Sequence, residues 1–231
     1  MAHRIVSMHA FYTSNGRGVD GYLSHPTAPG PWPAMIIVHE WWGLEDHFRE
    51  LGRRLAREGL VTLVPDLYHG AVASEPEVAA RLKTSLNIDA AVTDILGAVP
   101  YLRGLPFVSE KVGVMGFCMG GGLALLATCR SRELAAAVVY FPSIYPDPDE
   151  IGEVACPLLL HYGTADSVTP TSEIERITQA FDRNRKAYEL FLYEGADHAF
   201  VNDRHPEFYN QAATELAWSR TLTFVERHLS A

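Results

Sequence analysis

Apolar residues along this chain come in short, unbroken runs separated by longer amphipathic stretches. The runs are "AMIIVH" (34–39), "LVTLVPD" (60–66), "KVGVMGF" (111–117), "AAAVVYF" (135–141), "PLLLHYG" (157–163) and "YELFLYE" (188–194). A strand that alternates has one wet face; a continuous run reads as a strand covered on both faces. Between the runs, helical periodicity predicts helices over 46–58, 75–85, 88–103, 120–130, 171–183 and about 207–229. Gly59 after "LARE" reads as a helix C-cap, and "TPTSEIERI" predicts Thr or Ser capping the fifth helix. Residues 3–25 differ: two segments flank "TSNGRG", and Asn15-Gly16 predicts an antiparallel hairpin at one sheet edge. Strands alternating with helices give an α/β fold, with a mostly parallel central sheet flanked by helices on both faces. No repeat, low-complexity tract or linker divides residues 1–231, so one domain is expected.

Composition narrows the function. Apolar residues are 48% of the 231, enough for a sizeable core. The charge of −9 is spread along the chain, which disfavours nucleic acid or an acidic membrane as partner. No apolar stretch approaches membrane-spanning length and no signal-like segment opens the chain, so a cytoplasmic protein is expected, monomeric or weakly self-associating. Cys118, Cys129 and Cys156 have no metal-ligand spacing and read as reduced thiols. No histidine pair has H-E-x-x-H spacing, so neither a metal nor a cofactor is expected.

In a parallel sheet, functional residues follow the carboxyl ends of strands. Four groups meet that condition: His39-Glu40-Trp41-Trp42, Cys118, Asp166 and His198. "GFCMG" (116–120) matches the nucleophile elbow G-x-S-x-G with cysteine in place of serine. The sharp strand-to-helix turn excludes side chains beside the nucleophile, and the new helix's N-terminus favours a thiolate. A buried structural cysteine is the competing reading. Cys118, Asp166 and His198, however, lie in the order nucleophile, acid, histidine, each just past its own run. Asp197 is a rival acid, disfavoured because adjacent residues rarely face one another.

These residues resemble the dienelactone hydrolase (carboxymethylenebutenolidase) family of the α/β-hydrolases. The resemblance runs through "VHEWWGL", "LVPDLYHG", "KVGVMGFCMGGGLAL", "HYGTADSVTP" and "YEGADHAF". It implies Cys118 as nucleophile, His198 as base, Asp166 as orienting acid, and Glu40 as an auxiliary carboxylate that guards the thiol and helps deprotonate it. It also implies an oxyanion hole from the backbone N–H groups of Trp41 and Met119, with Trp42 and Tyr140 near the pocket. Family members acting on dienelactone grip its carboxylate with two arginines. Four residues after the histidine this chain has Asn202, with Arg204 two further on; in the region of the other arginine lies Arg81. A solvated surface is the simpler setting for Arg81 and Arg204, so the machinery carries over and the carboxylated substrate does not.

The expected activity is hydrolysis of a small ester or lactone through an acyl-enzyme. A same-fold esterase for substrates without a carboxylate, a thiol redox or sensing protein, and a non-catalytic binding protein are the alternatives.

Overall fold

The computed structural model describes residues 2–230. Strands β1 (Ile5–Ser14) and β2 (Arg17–Pro26) form the expected hairpin, turning at Asn15-Gly16 with both residues at positive φ. β3 (Trp32–Val38), α1 (Asp46–Arg57), β4 (Val61–Pro65), α2 (Pro76–Ser85), α3 (Ile88–Arg103) and β5 (Val108–Phe117) follow. Then come α4 (Met119–Arg130), β6 (Ala137–Tyr140), β7 (Leu158–Gly163), α5 (Thr171–Arg183), β8 (Tyr188–Tyr193) and α6 (Gln211–Leu229). The sheet order is β1-β2-β4-β3-β5-β6-β7-β8; β3 to β8 are mutually parallel, and β2 joins β4 antiparallel. The hairpin therefore caps one edge, as the sequence predicts.

Both faces of the central strands are buried, and alternate residues divide between two cores. Ala34, Ile36 and Val38 pack with α3, α4 and α5, while Met35 and Ile37 pack with α1 and α6. No helix among the described residues is long and apolar enough to cross a membrane.

Some boundaries differ from the expected ones. Residues 207–210 lie outside the helix, which begins at Gln211 because the Asn210 side chain caps α6 by accepting from Ala213 N. Helix α5 starts after Pro170 with no side-chain cap, so neither Thr nor Ser performs the expected role. Gly59, at φ +95°, does follow α1 as a left-handed terminator.

The winding reverses at β3. The chain steps from β3 to β4 on one side, then crosses back to place β5 on the other. The crevice beyond the carboxyl ends of β3 and β5 is thus the topological switch point, where α/β sheets bind ligands.

Candidate active site

Cys118 sits on the turn between β5 and α4 with φ 52° and ψ −115°, a conformation that costs a non-glycine residue on the order of 1–3 kcal/mol. The glycines around it make the turn possible. A Cβ on Gly116 would collide with the Gly120 carbonyl, and one on Gly120 with the carbonyls of Val38 and His39. Gly120 thereby lets α4 begin directly against the end of β3. Met119 opens that helix, so its N–H has no carbonyl one turn earlier to bond. Neither its N–H nor that of Trp41 donates to a backbone carbonyl among the described residues.

Asp166 and His198 meet as a pair. His198 Nδ1 lies 2.9 Å from Asp166 Oδ2, and Asp166 Oδ1 accepts from the backbone N–H groups of Val168 and Thr169, each at 2.8 Å. A carboxylate is acceptor-only, so Nδ1 carries a hydrogen and Nε2 is the nitrogen that gains or gives up the titrating proton. Asp197 is used otherwise: its Oδ1 accepts from the His198 backbone N–H. Burial lowers the affinity of His198 for its proton; the Asp166 bond and the nearby Cys118 sulfur outweigh that and push its pKa up to about 10. His198 Nε2 itself has no hydrogen-bond partner among the described residues. The Cys118 thiol donates to Ser143 Oγ at 3.5 Å.

Cys118, His198, Glu40, Trp41 and Trp42 line one cavity of about 220 Å³, together with Lys83, Val168, His205 and Phe208. Trp42 stacks on His205 at 4.8 Å, forming one wall. Glu40 is only 2% exposed, and burial raises its pKa to about 7 against the opposing effects of the Asn202 hydrogen bond and His198.

The remaining expected residues lie elsewhere. Tyr140 points toward α6 and does not line the Cys118 cavity. Its hydroxyl bonds Thr221 Oγ1 at 2.7 Å, its ring stacks between Phe117 and His161, and it borders a separate cavity between α1 and α6. Arg204 borders that second cavity as well, and Arg81 is exposed on α2; neither lines the Cys118 cavity. Asn202 is fully buried behind Glu40, donating to its Oε2 at 2.9 Å, and is not part of the cavity wall.

Sequence reasoning missed Lys83 and Ser143. Lys83 Nζ donates to Ser143 Oγ at 3.0 Å, bringing an ammonium beside the thiol. Ser143 lies just beyond β6, where the strand-end rule applies. Lys83 lies inside α2, where nothing in its sequence neighbourhood marks it.

Comparison with known proteins identifies the family. The model of the dienelactone hydrolase family matches residues 19–229. Protein usf of Aquifex pyrophilus is 30% identical over 95% of this chain and 97% of its own. A Bradyrhizobium protein named "Probable 2-oxo-3-(5-oxofuran-2-ylidene)propanoate lactonase" is 27% identical over 94% of this chain and 92% of its own. Among solved structures, the "Putative Dienelactone Hydrolase" of Klebsiella pneumoniae superposes with a TM-score of 0.91 at 25% identity, covering 98% of this chain and all of that one. With its elbow, its sheet order and this match over nearly its full length, the chain belongs to the dienelactone hydrolase family and is a hydrolase of ester or lactone bonds.

Proposed function

We propose that the chain cleaves a small lactone or ester by thiol catalysis, with Cys118 as nucleophile, His198 as base and acid, and Asp166 as its orienting partner. The observation that carries this reading is the Asp166–His198 pair beside a strained elbow cysteine in one cavity. The thiol proton passes to His198 Nε2, whose raised pKa suits it to hold that proton. The sulfur then bonds the acyl carbon, and the carbonyl π electrons move onto oxygen. The Trp41 and Met119 amides receive that oxyanion; one such donor contributes about 100–1000-fold in rate. Collapse breaks the bond to the leaving oxygen, which takes the proton from His198. A water, deprotonated by His198, then attacks the thioester, releasing the acid and restoring the thiol. Glu40, with a pKa near neutrality, is suited to exchange a proton with the thiol before substrate binds.

Lys83 favours a substrate with its own carboxylate, because it adds a cation to a cavity otherwise walled largely by aromatic and aliphatic groups. The lactone named for the Bradyrhizobium relative carries such a carboxylate. The deciding experiment is Cys118→Ser, assayed on lactones with and without a carboxylate. The variant should fold normally and lose at least about 100-fold in kcat/KM; full retention of hydrolysis would refute thiol catalysis.

A further inference from the structure

We propose that Asn202 is a positioning residue whose side-chain amide ties Glu40 to Glu45, making Glu45 the outer member of a coupled carboxylate pair that sets the charge on Glu40. The proposal rests on the reading of Glu40 as a proton acceptor for Cys118.

The geometry is specific. Asn202 Nδ2 donates to Glu40 Oε2 at 2.9 Å and lies 3.4 Å from Glu45 Oε1. Its two hydrogens thus serve two carboxylates. Asn202 Oδ1 accepts from the Arg204 backbone N–H at 3.1 Å, which fixes the amide's orientation: flipping it would set its oxygen against both acids. The backbone on either side is also held, through Asn202 N to Ala199 O and His205 N to Asn202 O. Glu40 keeps one oxygen, Oε1, without a partner among the described residues, while the side chain lines the catalytic cavity. The bridge therefore joins a carboxylate sealed inside the site to one at the start of α1, half-buried and in contact with solvent.

Other charged groups act on the pair from each side. His198 favours ionised Glu40 from the cavity, where Cys118, Asp197 and Lys83 also lie. Burial raises the pKa of Glu45; the Asn202 bond, His205 and Arg204 oppose this, and Asp46 reinforces it. Like charges on Glu40 and Glu45 repel through one shared amide, so ionising one opposes ionising the other. An asparagine can bridge the two acids without neutralising either, whereas a cation at this position would hold Glu40 ionised.

Two substitutions separate this role from a purely structural one, because they act in opposite directions. Asn202→Leu removes the donor that favours ionised Glu40, so the acidic limb of activity should move up by about one pH unit. Glu45→Gln removes the opposing charge, so the limb should move down by roughly half a unit. Glu40→Gln should abolish the limb. The readouts are kcat/KM from about pH 5 to about pH 9, and the rate of iodoacetamide alkylation at Cys118, read by peptide mass, over the same range. Alkylation needs no turnover, so it tests the bridge even if Cys118→Ser were to refute thiol catalysis. Should Asn202→Leu fail to fold, Glu45→Gln carries the test. An unmoved limb in Glu45→Gln, or movement in the same direction in both variants, overturns the proposal.

Discussion

Glu40 is a carboxyl group in a place where being charged is costly. Its folded pKa, about 7, lies above the ordinary 4.5, so between those values the folded protein holds a proton that the unfolded chain has lost. Stability therefore falls as pH rises through this window. Each pH unit crossed costs roughly 1.4 kcal/mol, so the loss is on the order of a few kcal/mol and is complete above about pH 7. Glu40→Gln removes the ionisation while leaving an oxygen to accept from Asn202. Thermal unfolding should show the variant more stable than the parent at about pH 8 and nearly equal to it at about pH 4. A higher melting temperature at the alkaline end, alongside reduced turnover, would mark a residue kept for chemistry at the expense of stability. An equal gain at both ends would contradict the assigned ionisation.

At the scale of elements, the elbow depends on two backbones approaching closely. The first turn of α4 rests on the end of β3, and Gly120 is the point of contact. Gly120→Ala cannot be accommodated by a side-chain shift, because the obstacles are the carbonyls of Val38 and His39. It should cost more than the about 1–3 kcal/mol of ordinary overpacking, seen as a drop in denaturation midpoint. Activity should fall too, since displacing α4 moves both Cys118 and the Met119 amide. Parent-like stability would mean that the two elements are not locked there.

The elements themselves are legible in the sequence for a simple reason. Strands buried on both faces must be apolar throughout, and Asn-Gly specifies a tight hairpin turn. The order Cys118, Asp166, His198 is legible because each residue lies just past its own strand. Tyr140 passes the same strand-end filter yet faces α6, because side chains alternate faces along a strand and the sequence run is apolar on both. The α5 cap escapes the sequence because Thr and Ser near a helix start look alike whichever residue occupies the cap; here Pro170 does.

At the scale of the whole molecule, the site draws on segments that no local pattern connects. Lys83 comes from α2 and Ser143 from the loop after β6, sixty residues apart, yet they meet at 3.0 Å beside the thiol. Helix pattern does not mark Lys83, since a lysine on an amphipathic helix ordinarily belongs to the wet face. Lys83→Met retains the aliphatic stem and removes the charge. It should raise KM about tenfold for a carboxylated lactone and leave KM for a neutral ester nearly unchanged. Equal effects on both substrates would assign the lysine to holding Ser143 rather than substrate.

The loops around the cavity are also fastened to one another. The Cys118 carbonyl accepts from Ser143 N at 3.1 Å, Thr169 Oγ1 donates to the Pro142 carbonyl at 3.1 Å, and Asp166 holds the Val168 and Thr169 amides. Cys118, Asp166 and the turn between them thus form one braced rim. The entropy of ordering these groups is lost when the chain folds, so an arriving substrate meets a site that is already assembled. A site braced in this way predicts a kcat set by the chemical step, which would show as little change with added viscogen.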